Sequence, residues 1–243
     1  MNIQGISIVI PAYNEELFLP GTLLAVKKAS NHFFAAFKLP TEVIVVNNLS
    51  TDKTEMVAKN LGATVVNHSV RNISAVRNAG IASSTYDLIV TIDADSFLPE
   101  AGLTQIWKVM QTKRYIGGAL GVKIITDKFI VKIGAWIIQG LVVLISGIYG
   151  AMFFFSKEAA LSIGGFPENR LVAEDTAFAI KMRKLAKKKS LKFTRLKSVE
   201  VGTLDRKTSN LKIVGPMIIQ VIKAALGFKQ STSDLKYWYE PDR

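Results

Sequence analysis

The sequence contains no cysteine and only two histidines. Without cysteine there is no disulfide framework, no thiolate metal site and no thiol nucleophile, which fits a cytosolic address. His32 and His68 share no ligand-like spacing, so both read as ordinary surface or turn residues rather than metal ligands. A glycine-rich phosphate loop is also missing. The first apolar run, residues 6–10, leads into Pro11-Ala12-Tyr13-Asn14-Glu15-Glu16, with no Gly-x-Gly-x-x-Gly and no nearby basic residue. This argues against dinucleotide binding and against a nucleotidyltransferase. No basic n-region precedes the run, and an exit into proline and acids is unlike a signal peptide.

Acidic residues are scarce: 19 Asp and Glu against 31 Lys and Arg leave a net charge of +12. The excess is uneven, with nine basic residues and no acid over 181–197. Such a run suits a solvated helix face and turn, an anionic membrane surface or a phosphorylated acceptor. It has little aromatic interleaving and no base-reading module, so no nucleic acid is expected as a partner. A second deficit is local: residues 133–155 hold no charge over 23 positions. Gly147 and Gly150 interrupt the run, and Ala151-Met152-Phe153-Phe154-Phe155 before Ser156-Lys157-Glu158 reads as a buried strand feeding a helix. The apolar helix that remains, near 129–146, is too short to span comfortably and is buried in protein or sunk into a membrane interface. Near 211–226 a further helix is amphipathic, with Lys212, Pro216, Gln220 and Lys223 on one stripe.

What is present is enough for a large α/β domain: 243 residues with 49% hydrophobic content. Short β-branched runs alternate with helical stretches, which predicts βαβ units and a mostly parallel central sheet flanked by helices. Strands are expected over 7–11, 42–47, 64–67, 88–92, 116–122 and 151–155, and helices over 15–31, 54–60, 73–83, 100–113, 157–162 and 176–187. Ser50-Thr51-Asp52 reads as an N-cap cluster. Residues 1–205 are expected to form the catalytic domain, with 206–243 an amphipathic helix and tail packed on it or on a membrane surface.

The chemistry centres on Asp93-Ala94-Asp95, directly after an apolar strand. In an open α/β sheet the carboxyl ends of the strands form the ligand crevice. Two carboxylates two residues apart can hold a hard cation, Mn²⁺ or Mg²⁺, and leave positions for water and diphosphate oxygens. Alone, Asp-x-Asp is also ordinary turn chemistry. Three further stretches accompany it. Tyr13 follows the first strand and can stack on a base, Asn47-Asn48 ends the second with amides, and Gly164-Gly165-Phe166-Pro167 precedes Glu174-Asp175 at a helix start.

Together with Arg77-Asn78-Ala79-Gly80, these motifs resemble family 2 glycosyltransferases of the GT-A (nucleotide-diphospho-sugar transferase) fold over roughly residues 5–190, in the family's order and at similar intervals. The resemblance implies an inverting, metal-dependent transfer from a nucleoside-diphosphate sugar to a glycan or lipid-linked acceptor; the basic run and the two apolar segments suggest the inner face of the cell membrane. By it, Pro11, Ala12, Tyr13, Glu15, Asn48, Arg77, Asp93, Ala94 and Asp95 would bind the donor. Asp95, with Asp93, would hold the metal, Gly164, Gly165, Phe166 and Glu174 would lie on the acceptor side, and Asp175 would be the catalytic base. Many relatives have acids where Asn47-Asn48 stands, so the donor nucleotide is left open. No Gln-x-x-Arg-Trp follows Asp175, which argues against a processive polysaccharide synthase. A catalytically idle sugar-nucleotide or membrane-binding module is the non-enzyme alternative.

Overall fold

The computed structural model describes residues 3–128, 152–170 and 173–204, together with separate positions between 132 and 143. Its centre is an eight-stranded sheet. In chain order the strands are β1 Ile6–Ala12, β2 Thr41–Asn47, β3 Thr64–Asn67, β4 Leu88–Thr91, β5 Ser96–Phe97, β6 Tyr115–Ile125, β7 Met152–Ser156 and β8 Lys192–Leu204. Between them run α1 Leu19–Phe37, α2 Thr54–Asn60, α3 Ile73–Ser83, α4 Gly102–Gln111, α5 Lys157–Ser162 and α6 Glu174–Lys188. Across the sheet the order is β3-β2-β1-β4-β7-β6-β8-β5. Strands β3, β2, β1 and β4 are mutually parallel, β7 runs against β4 and β6, and β6 pairs parallel with β8. The carboxyl ends of β1, β2 and β4 therefore open on one edge.

Alternation along β1 explains why it lies at the centre. Ile6, Ile8 and Ile10 face a core shared with Leu19, Leu23 and Phe33 of α1 and Leu103 and Ile106 of α4. Val9 faces the other core, with Val76 and Ile81 of α3 and Phe178 and Met182 of α6. A strand buried on both faces reads as a near-continuous apolar run, interrupted here only by Ser7, whose hydroxyl donates to Glu42. Helix α3 lies close on the sheet because Gly80 has no side chain. A Cβ there would sit 2.3 Å from a Val9 methyl and 3.0 Å from one of Val46.

Bounds of α2, α3, β3 and α5 agree with the pattern-based expectation to the residue. Helix α1 does not. It was expected from residue 15, yet it starts at Leu19, because Asn14 is left-handed (φ 52°) and residues 14–16 are engaged by the 50–54 loop. It also runs on to Phe37, whose ring stacks on Trp107 at 4.0 Å. Two strands were not anticipated. β5 is too short to carry a pattern, and β8 lies partly in the basic run read as a helix face and turn. That run is divided: α6 ends at Lys188, and from Lys192 the chain is a strand burying Phe193, Leu196, Val199 and Val201. A register shift lets Leu120 pair with Leu196 while Gly121 pairs with Glu200, which obscures the period-two alternation. Of the helix expected near 129–146, only separate positions between 132 and 143 are described, and these are helical. The amphipathic helix at 211–226 and the tail lie outside the described residues. Among the described residues, no helix is long and apolar enough to cross a membrane.

Candidate active site

Two loops at the open edge hold one another through backbone N–H groups. Asn14 N donates to Ser50 Oγ (3.0 Å), Glu15 N to Thr54 Oγ1 (2.7 Å) and Glu16 N to Asp52 Oδ2 (3.1 Å). In return Thr51 N donates to Asn14 Oδ1 (2.8 Å) and Lys53 N to Glu16 Oε2 (2.9 Å). The Ser50-Thr51-Asp52 cluster thus does more than mark the start of α2. Its hydroxyl and carboxylate satisfy donors of the turn after β1, which sets the positions of Tyr13 and the buried Glu15.

Asn48 is locked in orientation. Its backbone N–H bonds to Ala12 O (2.8 Å), and its side-chain Nδ2 donates to His68 O (3.0 Å) and Val70 O (2.8 Å). Both amide hydrogens face carbonyl oxygens, so turning the amide over would set oxygen against oxygen. What the side chain offers a ligand is its Oδ1, an acceptor. Asn47 is structural, donating to Asn67 Oδ1 at 2.8 Å. Arg71, not anticipated from sequence, lies over the Tyr13 ring at 4.6 Å and hydrogen-bonds its hydroxyl. The basic turn Val70-Arg71-Asn72 after β3 was its only sign.

The turn after β4 is pinned on three sides. Ile92 N bonds to Val9 O (3.1 Å), Thr22 Oγ1 of α1 donates to Ala94 O (2.7 Å), and Ser96 Oγ meets Thr203 Oγ1 of β8 at 3.0 Å. Ala94 is buried, whereas Asp93 and Asp95 are half-exposed. One oxygen of Asp93 accepts from Arg77 Nη2 at 3.0 Å. No group of three His, Cys, Asp or Glu side chains suited to a metal occurs among the described residues. A pair of hard carboxylates two residues apart fits a divalent cation whose remaining positions are filled by water and diphosphate oxygens, as Mg²⁺ and Mn²⁺ accept.

Opposite this turn, Gly165 has φ +67°, and a Cβ there would lie 2.4 Å from Asn78 Oδ1. That same Oδ1 accepts from Phe166 N at 2.8 Å, so glycine lets α3 grip the loop. Phe166 is fully buried, its ring stacked 4.0 Å from Phe178. The Phe166 side chain is thus a packing residue beneath the loop rather than an exposed one. Helix α6 then begins with Glu174 and Asp175, both half-buried. Glu174 Oε1 accepts from Arg77 Nη1 at 2.8 Å, and Asp175 Oδ1 accepts from Thr176 N at 2.6 Å. Burial first, and the neighbouring Glu174 charge second, push the Asp175 carboxyl up to about 6, against a pull downward from Arg77. Burial alone would lower the Arg77 pKa, but Asp93, Glu174 and Asp175 outweigh it and raise it. The structure thus brings Asp93, Arg77, Glu174 and Asp175 into one electrostatic cluster, with Tyr13 and Asn48 at the ends of the adjoining strands.

The family profile described as Glycosyl transferase family 2 matches residues 7–166, more than half of the chain. The chain belongs to that family. This family 2 glycosyltransferase is 31% identical over 117 residues to the undecaprenyl-phosphate 4-deoxy-4-formamido-L-arabinose transferase of Sodalis glossinidius, covering 45% of this chain and 34% of the relative. The curated relatives it matches first are covered over less than half of their length. Among solved structures it is similar to the mannosyltransferase PcManGT from Pyrobaculum calidifontis in complex with GDP-Man and Mn²⁺ (TM-score 0.69, 18% identity, 97% of this chain and 68% of that one). It also resembles the glucosyl-3-phosphoglycerate synthase of Mycobacterium tuberculosis with Mn²⁺, UDP and phosphoglyceric acid (TM-score 0.65, 19% identity, 94% and 80%). At these identities the structural likeness establishes the GT-A fold of the glycosyltransferase.

Proposed function

We propose that this glycosyltransferase is a metal-dependent, inverting enzyme that moves a sugar from a nucleoside diphosphate to a hydroxyl of a lipid-linked or glycan acceptor. The observation that carries the reading is the Asp93–Arg77–Glu174 bridge, which joins the carboxylate turn to the helix start bearing Asp175. A divalent cation held by Asp95 and Asp93 would neutralise charge developing on the departing diphosphate. Asp175 takes the proton of the acceptor hydroxyl as that oxygen attacks the anomeric carbon from the face opposite the diphosphate. The bond to the diphosphate oxygen breaks as the new glycosidic bond forms, so no covalent enzyme intermediate is needed. The crystallisation of two similar folds with Mn²⁺ supports the choice of metal. The decisive test is the Asp175→Asn variant treated in the Discussion.

The fixed Asn48 amide narrows the donor. With both Nδ2 hydrogens engaged, Oδ1 is left to accept an N–H from the base, and the ring N–H of uracil or guanine, beside its carbonyls, suits it. Thermal shift in Mn²⁺ is expected to stabilise the protein with UDP or GDP at 100 times Kd by about 2.7 kcal/mol. CDP and ADP, whose equivalent ring nitrogen is an acceptor and which donate only from the exocyclic amine, should do so less at the same concentration. Equal shifts for all four would remove Asn48 as the base reader.

Peripheral contact with an anionic membrane at the inner face of the cell membrane is part of this reading. Lys181, Lys184, Lys187 and Lys188 are exposed on α6 with no acid among them, and Trp136 is 75% exposed at a helical position. Each lysine near an anionic surface is worth about 1 kcal/mol, and an exposed tryptophan suits the headgroup boundary. The Sodalis relative is named for an undecaprenyl-phosphate sugar transfer, which supports a lipid-linked acceptor here. Cosedimentation with phosphatidylglycerol vesicles is expected to exceed that with phosphatidylcholine, and to weaken on deletion of residues 211–226. Indifference to both changes would contradict it.

A further inference from the structure

Direct contact with the donor does not account for how Arg77 is built into the fold. Its side chain is 11% exposed, and both arms of its fork are engaged: Nη1 on Glu174 Oε1 at 2.8 Å and Nη2 on Asp93 Oδ1 at 3.0 Å. The Phe166 ring packs against the guanidinium at 5.3 Å. The two carboxylates come from different elements, one from the turn after β4 and the other from the residue immediately before Asp175. Helix α3, which carries Arg77, is a firm mount. Its start is capped by Asn72, whose Oδ1 accepts from Ala75 N, and Gly80 seats it against β1 and β2. The next residue, Asn78, grips the acceptor-side loop, donating to Phe166 O and Glu168 Oε1 at 2.9 Å each. Two consecutive α3 residues thus tie down the loop and the helix start on the acceptor side, and one of them also reaches the carboxylate turn.

We propose that Arg77 is a positioning residue that holds the start of α6 in register with the Asp93-Ala94-Asp95 turn, and so presents Asp175 to the acceptor oxygen without itself binding the donor. The inference rests on the reading of Asp175 as base. Its physical basis is the planar fork, which meets two carboxylates along fixed directions; a lysine ammonium is a single point of charge and cannot reproduce that geometry. Misplacement of a reacting group by about 1 Å can cost about 10²-fold in rate, while binding of a donor held elsewhere is untouched.

The test is a double-mutant cycle of Arg77→Lys and Glu174→Ala, with kcat measured at saturating donor and acceptor and donor Kd measured separately in Mn²⁺. Each single variant is expected to lose about 10- to 100-fold in kcat with donor Kd within about threefold of the unsubstituted protein, and the double variant to be no slower than the worse single. A tenfold or greater rise in donor Kd with kcat preserved would make Arg77 a diphosphate ligand and overturn the proposal. So would multiplicative losses in the double variant. If Arg77→Lys does not fold, Glu174→Ala decides alone: lower kcat at unchanged donor Kd supports the proposal, and unsubstituted kcat sinks it. Asp175→Asn run in parallel separates the two readings. Full transfer by that variant would defeat the base assignment itself, whereas an inactive Asp175→Asn with a multiplicative cycle would defeat only the positioning role.

Discussion

At pH 7.5 the Asp175→Asn variant is expected to transfer sugar about 10²- to 10⁴-fold more slowly than the unsubstituted enzyme while unfolding at a higher temperature. The rate loss is the usual contribution of a positioned general base, roughly 3–5 kcal/mol of barrier. The gain in stability follows from the same burial. The folded state raises the Asp175 carboxyl from 3.8 to about 6, so it favours the protonated form. That preference contributes stability below pH 3.8 and is lost as pH rises through about 6, above which an ionised carboxylate sits in a site that resists charge. Asparagine never ionises and keeps an acceptor for Thr176 N. Above pH 6 the variant should therefore gain on the order of 1–3 kcal/mol, and below about pH 4 the difference should vanish. Thermal melts at pH 4 and pH 8 check the sign. A variant less stable than the unsubstituted protein at pH 8 would show that the Asp175 charge is welcome where it stands.

The second large effect concerns the metal. For the unsubstituted protein, UDP or GDP at 100 times Kd in Mn²⁺ should add about 2.7 kcal/mol of stability, and a chelator should remove most of it. In Asp95→Asn the nucleotide shift should be small and indifferent to the chelator, because an amide oxygen is a poorer ligand for a hard cation than a carboxylate. Asp95 is the better position for this substitution, since Asp93 also receives Arg77, which holds Glu174, and its loss would disturb the start of α6 as well. Equal nucleotide binding by the unsubstituted protein with and without chelator would remove the metal from the donor site.

These predictions rest on residues that differ in how far sequence could reveal them. Local pattern sufficed where one element is its own signal: β1 through its nearly all-apolar run, α3 between Asn72 and Ser84, and α5 after the capping Ser156. It failed where a distant partner decides. The start of α1 is delayed to Leu19 because Ser50, Asp52 and Thr54 take the N–H groups of residues 14–16, a bargain between segments some 36 residues apart. Strand β8 was hidden because its first half lies within the basic run and its alternation breaks at the bulge.

The candidate site follows the same division. Asp93, Asp95, Glu174 and Asp175 could be read from motifs, since strand ends and helix starts place carboxylates by simple rules. The pairing of Arg77 with Glu174 joins residues 97 apart and has no local signature. Arg71 over Tyr13 depends on the course of the turn after β3. Residue type alone does not reveal the orientation of the Asn48 amide, which the carbonyls of His68 and Val70 fix.

The pH dependence of transfer tests the central assignment most directly. With donor and Mn²⁺ supplied, kcat/KM for the acceptor should fall tenfold per pH unit below a break near 6 and stay level above it, because the acceptor-free enzyme must carry Asp175 ionised. In Asp175→Asn the residual rate should show no such break. A level profile from pH 5 to pH 8 in the unsubstituted enzyme, or the same acid limb retained in the variant, would contradict the assignment of Asp175 as the base.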